Sequence, residues 1–284
     1  MCWRRFAGRL LTGTLLVAAV AARVPALIGF GLLAGVFSIA ETRWSLHSQP
    51  RLRAGWATDV AHFFVNYLFI AVGTVVAFAP LVVAVRLGAV PGLDGIRDFA
   101  AAQAPVTRFL VAITVVALTR YWSHRWTHTV GWLWKFHAVH HSSERLDWLA
   151  SARLHPVDAV FAAVCTGAPL LLLGFDRSTF GAWALVFAVG PFLDHSNVRL
   201  RLPGLRWVIP NPEWHHWHHA TSSRDGSGSA DAVPMDRNFS PFPIVDVLFG
   251  TAYLPSNRWP TSYGVSDPVP DEGYLRQLAY PFTR

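Results

Sequence analysis

Long apolar stretches, at roughly 10–40, 60–87, 105–122, 157–175 and 178–193, constrain this chain more than any other feature. A bilayer span needs about 20 mostly apolar residues, and within hydrocarbon only a helix or a closed barrel satisfies its own backbone. The chain therefore reads as an all-α, polytopic helical membrane protein with four or five transmembrane segments. Composition agrees, since 52% of residues are hydrophobic and 14% charged, against about 25% charged in soluble domains. Arg23 followed by Pro25 interrupts the first stretch, so a kinked span and a shallow hairpin both fit. Arg4, Arg5 and Arg9 ahead of an apolar run imitate a signal peptide, but apolar character resumes from Val24 to Ala40, which favours a retained span.

Only Asp176 and Arg177 separate the last two stretches, with Gly174 nearby to help the reversal, so 157–193 is expected to be a membrane hairpin. A hairpin returns the chain to the side it left. Residues 120–156 and everything from Asp194 onward then share one face, and they hold eleven of the 13 histidines. Arg120, Arg125, Lys135, Arg145 and Arg153 lie on that face, whereas the opposite loop sets Arg97 against Asp94 and Asp98. The positive-inside rule places the histidine-rich cap in the cytoplasm. The net charge of +7 is scattered without a basic run, which argues against a nucleic-acid partner. Two cysteines, Cys2 and Cys165, build neither a disulfide framework nor a four-thiolate site. Thr221 to Val233 reads as a loop, and the Pro- and aromatic-rich tail from Asn238 as a packed cap of turns.

The histidines recur at helical spacings. His124 and His128 are four apart; His137, His140 and His141 occupy i, i+3 and i+4; His215, His218 and His219 repeat that triplet. Such spacings put imidazoles on one helix face, as chelation requires. Eight rings exceed the four positions of a zinc site, so two metal ions fit better. His195 stands alone by spacing but falls where the hairpin returns to the same face, and is read as a further ligand. His216 projects about 100° away from its neighbours and, like His155 ahead of Pro156, is read as supporting the ligands rather than joining them. Ligating histidines usually donate their other ring N–H to a carboxylate or carbonyl. Glu144, Asp147, Asp158, Asp194, Asn197 and Glu213 are candidates for that support. His47 and His62 are read as structural.

Imidazole suits iron, copper, zinc and nickel alike. Two irons able to activate O2 beneath a bilayer would reach an apolar C–H bond that no acid or base activates. A zinc-dependent membrane hydrolase is the alternative, but H-E-x-x-H is absent; a bis-histidine haem carrier would place its rings at mid-bilayer instead of one surface.

The order H-x-x-x-H, H-x-x-H-H, lone histidine, H-x-x-H-H resembles the fatty acid hydroxylase/sterol desaturase superfamily of membrane di-iron enzymes. YWSHRWTH (121–128), LWKFHAVHHSSE (133–144), ARLHP (152–156), HSNVRL (195–200), NPEWHHWHH (211–219) and LFGTAYLP (248–255) carry the resemblance. It implies a helical fold with a cytosolic metal cap and an O2-dependent hydroxylase or desaturase acting on a membrane lipid such as a sterol or fatty acyl chain. It also implies two non-haem irons held by His124, His128, His137, His140, His141, His195, His215, His218 and His219. The implied division is an N-terminal transmembrane region (1–104), a catalytic region (105–263) and a tail (264–284). The chain departs from the family pattern at Ala117, where an aspartate is common, and at Asn238–Phe239–Ser240, where Asn-Tyr-Gly is common. It carries no nucleotide-binding glycine motif and no cysteine set for an iron–sulfur cluster, so a separate electron donor, a ferredoxin with reductase or a cytochrome, is expected.

Overall fold

The computed structural model describes residues 24–175, 189–221, 236–270 and 272–283. The signal-like start, the reversal at Asp176–Arg177 with most of the second hairpin arm, and most of the Thr221–Val233 loop lie outside the described residues. The described chain is helical, and its β pairing is two isolated antiparallel bridges, Ser45 with Val198 and Ala220 with Tyr263.

Helix α1 is Val24–Arg43, α2 Trp56–Arg86, α3 Leu93–Ala101 and α4 Pro105–Thr129. Gly55, at φ 78°, turns the chain into α2, and Pro105 starts α4 at a position where its missing N–H costs nothing. The extended backbone of Val130 ends α4 and redirects the chain into α5, Gly131–His141. A 3₁₀ turn, Trp148–Ala152, is capped by the Asp147 side chain and leads to α6, Pro156–Leu172, capped by the His155 side chain. Residues 189–195 form the described part of α7. Asn211 caps α8, Pro212–His219, by accepting from Trp214 N at 3.0 Å. Helices α9, Pro243–Phe249, and α10, Tyr274–Ala279, follow.

Two of the predicted stretches, Ala26–Arg43 and Trp56–Arg86, are helices long and apolar enough to cross a membrane. The stretch at 105–122 forms the first part of α4, and α6 is apolar but 17 residues long. Along α2 the character changes with height. Thr58, Asp59, His62 and Asn66 near its start are buried, while Val72, Val75 and Val76 further on are exposed and apolar. Helix α4 runs the other way, from exposed Val106 and Leu110 to buried Thr127 and His128. The apolar lengths thus stand on a cap whose interior is polar. Helices α2 and α6 meet through glycines: a Cβ on Gly73 would lie 2.8 Å from Val160 Cγ2, and one on Gly167 2.6 Å from Phe78 Cζ. Such small residues let helices approach closely where no hydrophobic effect drives them together. Helix α4 closes on α6 through Ala112, Val116 and Leu170.

The tail from Asn238, expected as turns alone, contributes α9 and α10. Tyr274 packs on Ala61 and Val65 of α2, and Gln277 Oε1 lies 2.7 Å from His62 Nε2. His62 also reaches the Leu154 carbonyl, so it ties α2 to the segment entering α6.

Candidate metal centre

Helices α4, α5, α7 and α8 each deliver rings to one place. His124, His128, His137, His141 and His218 form one group and His140, His195, His215 and His219 another, and within each the candidate ligand atoms lie within 4.8 Å of one another. The two groups adjoin through His140 and His141, and the His141 and His219 rings stack at 4.2 Å.

Hydrogen bonds outside the groups decide which ring nitrogen faces inward. His124 Nδ1 lies 2.6 Å from Phe239 O, His140 Nδ1 3.0 Å from Arg153 O, His195 Nδ1 2.7 Å from Pro191 O and His218 Nδ1 2.8 Å from Arg237 O. A carbonyl only accepts, so each Nδ1 carries the hydrogen and each Nε2 is a bare lone pair. His137 Nδ1 donates likewise to Asp158 Oδ2 at 2.9 Å. Yet His124 Nε2 stands 3.0 Å from His137 Nε2, and His140 Nε2 3.2 Å from His195 Nε2. Two lone pairs cannot hydrogen-bond each other. Ligands about 2.1 Å from a shared ion at tetrahedral to octahedral angles stand about 3.0–3.4 Å apart, which is this spacing. His128 and His219 have both ring nitrogens buried without a partner, and His218 Nε2 has none. The donor set therefore fits a pair of transition-metal ions, one per group.

Electrostatics favour the ligand form. Burial and the neighbouring imidazoles hold His124, His128, His140, His141, His215 and His219 well below the ordinary histidine value. Burial takes His195 to about 4 and His218 to about 3. All are neutral at physiological pH, with lone pairs free for a cation.

Of the expected supporting residues, Asp158 bonds a clustered ring directly. Asp147 acts at one remove, in a buried network with Arg53, Asp59 and Arg153. His216 belongs to neither group; its Nδ1 lies 2.7 Å from Tyr263 Oη and its Nε2 3.0 Å from Ser196 O, bracing the residue after His195. Tyr263 in turn meets His47 Nε2 at 2.9 Å. His155 caps α6 and reaches Leu278 O, away from the rings. Glu144 is exposed, Glu213 pairs with Arg201, and Asn197 joins its amide to the backbone of His47. Asp194 is buried without a cation in contact, which pushes it up to about 8. None of these last four hydrogen-bonds a clustered ring among the described residues.

Residues the motifs did not mark hold the centre in shape. The segment Arg237–Ser240 offers two ring-orienting carbonyls, and Asp246 fixes it by accepting from Phe239 N and Ser240 N, each at 2.8 Å. Asn238, at φ 57°, bonds Trp214 O, Tyr253 O and Tyr253 N. The sequence signal was Asp246 beside the matched LFGTAYLP stretch. For Arg53 and Asp59 it was charge placed against a membrane-length apolar run.

A cavity of about 220 Å³ opens on both groups, touching His124, His137, His140, His195 and His215. Its other walls include Leu154, Ala159, Ala162 and Phe239.

Two helices of membrane length, a largely buried cluster of nine imidazoles able to hold metal ions and an adjoining cavity define the class: a helical protein with a candidate metal centre beside membrane-length helices. The sequence model of the fatty acid hydroxylase family matches residues 109–251, half of the chain, and the chain belongs to that family. Ornithine lipid hydroxylase OlsE of Rhizobium tropici is 31% identical over 202 residues, 71% of this chain and 58% of that protein. Alkylglycerol monooxygenase is 28% identical over 160 residues in Danio rerio (56% of this chain, 33% of that protein) and 26% over 150 residues in Homo sapiens (52% and 31%). The chain thus spans less than two thirds of the length of these curated relatives. No solved structure matches significantly.

Proposed function

We propose that the chain is a multi-pass membrane hydroxylase that uses two non-haem iron ions and O2 to insert oxygen into a lipid C–H bond. The observation that carries this is the facing of bare Nε2 lone pairs, His124 on His137 and His140 on His195, beside a cavity of mainly apolar lining. His124, His128, His137, His141 and His218 would hold one ion, and His140, His195, His215 and His219 the other. When bound, the irons supply the redox chemistry by which O2 oxidises an unactivated C–H bond. Asp158 and the carbonyls of Phe239, Arg153, Pro191 and Arg237 keep five of the rings, those of His137, His124, His140, His195 and His218, in the ligating tautomer and orientation. Leu154, Ala159 and Ala162 receive the apolar part of the substrate and exclude water from it. The relatives' names, a lipid hydroxylase and a monooxygenase, support both the reaction and the lipid.

One oxygen atom enters the product and the other leaves as water, which consumes two electrons and two protons. A separate reductase, ferredoxin or cytochrome supplies the electrons. The cap faces the cytoplasm, a placement supported by Arg125, Lys135 and Arg145 on its segment. Metal analysis of the purified protein and turnover under 18-O2 with lipid mass spectrometry test the reading. Two irons and a product carrying one 18-O are expected. A product merely two hydrogens lighter would make the enzyme a desaturase, and zinc with hydrolytic products only would refute the oxygenase.

A further inference from the structure

The cavity that reaches the histidines is not lined as a hydrocarbon chain alone would require. Arg120, Asp158, Asp194 and Trp214 also form its walls. Asp158 is occupied by His137. Asp194 and Trp214 are not satisfied. Asp194 is 8% exposed, and its Oδ1 has no hydrogen-bond partner; Trp214, 2% exposed, has none at Nε1. Asp194 also lies outside both groups of candidate metal ligands. Arg120 is half-buried, feels the charge of Asp158, and has no ion-pair partner within 4.0 Å among the described residues. Unpaired polar groups as deep as those of Asp194 and Trp214 are costly and uncommon, and a cavity wall keeps them where a ligand completes them. At about 220 Å³ the cavity is also smaller than the roughly 300–1,000 Å³ that encloses a whole drug-sized ligand. A cavity of that size encloses at most one end of a lipid.

Resting on the lipid-hydroxylase reading above, we infer that Asp194, Arg120 and Trp214 are specificity residues that read a substrate's polar end. Asp194 accepts from an ammonium or hydroxyl group, while Arg120 and Trp214 donate to a carboxylate or carbonyl within a few bonds of it. Because the same cavity touches His124, His137, His140, His195 and His215, the oxidised carbon lies close to the polar end and not in mid-chain. Beyond the part that meets Leu154, Ala159 and Ala162, the fatty tail extends out of the cavity, which is too small to hold all of it.

Equilibrium binding to the metal-loaded protein in phosphatidylcholine nanodiscs, without reductant, tests this with three radiolabelled C16 probes: N-palmitoyl-lysine, palmitate and hexadecane. The first, bearing both an ammonium and a carboxylate, is expected to bind about ten- to a hundredfold more tightly than palmitate, and hexadecane most weakly. Asp194→Asn and Arg120→Gln should each lower the N-palmitoyl-lysine affinity about tenfold or more, with metal content unchanged. Equal affinity of the wild type for N-palmitoyl-lysine and palmitate overturns the inference, and that comparison needs no variant to fold. Wild-type affinities in both variants, or loss of metal from Asp194→Asn, overturn it too. Selective binding without any oxygenated product would leave this inference standing and refute the hydroxylase; oxygenated lipid without selectivity would do the reverse.

Discussion

Removing the Asp59 carboxylate tests whether the cap depends on its buried ion network. Asp59 Oδ2 lies 2.6 Å from Arg53 Nη2 and its Oδ1 2.6 Å from Arg153 Nε, with side-chain exposures of 0%, 0% and 2%. Arg53 keeps a second carboxylate, Asp147, at 2.6 Å. Arg153 keeps only the Ser142 hydroxyl, at 3.2 Å. Asp59→Ala thus strands one buried guanidinium, which costs about 3–5 kcal/mol, a large part of a typical total of about 5–15 kcal/mol. Since the Arg153 carbonyl orients His140, the four-histidine group should loosen with it. The assay is thermal unfolding in detergent alongside metal content, with Asp59→Leu/Arg153→Met as the second arm. The double variant removes one charge of each sign and restores the balance, so it should recover about 0.5–3 kcal/mol relative to the sum of the Asp59→Leu and Arg153→Met single variants. A single variant within 1 kcal/mol of wild type, or a double variant at the simple sum, would refute the reasoning.

Asp158→Asn removes the charge behind His137 at 2.9 Å and should lower metal affinity or activity about ten- to a hundredfold, read by competition with a chelator. Metal-free protein should lose stability in acid. The folded values of His195 (about 4), His216 (about 3) and His218 (about 3) lie below the ordinary value of 6.5, so the unfolded state binds more protons. Stability then falls as pH drops from about 6.5 toward these values; flat unfolding temperatures between pH 7 and 5 would contradict it. Tyr263→Phe leaves buried His216 Nδ1 without its 2.7 Å partner and should cost about 1–3 kcal/mol in denaturant unfolding, whereas His47→Ala, at the half-buried end of that chain, should cost less.

Periodicity was enough to gather the rings onto helices. The i, i+3, i+4 pattern of His137, His140 and His141 and of His215, His218 and His219 holds in α5 and α8, because a helix carries such positions on one face. The same rule set His216 apart, and the structure has it facing Tyr263 and Ser196 instead of the centre. Proximity in sequence misled for Glu144 and Glu213, since a carboxylate a few residues from a ligand is aimed by its local backbone. Glu144 ends exposed and Glu213 turns to Arg201. Spacing also gave no hint that His140 and His141, adjacent in the chain, divide between the two groups.

Amphipathic and apolar patterns are local, so the sequence alone determined that the chain is helical and which imidazoles share a helix face; it read four or five spans, of which two are helices of membrane length among the described residues. Ring tautomers and the support behind them are set by partners far away in the chain: Phe239 for His124, Asp158 for His137, and the Arg53–Asp59–Asp147–Arg153 network beneath His140. Those contacts join residues up to 115 positions apart. Only the tertiary structure decided them, because the direction a buried polar group faces depends on which acceptor folding brings within about 3 Å, and no spacing along the chain encodes that.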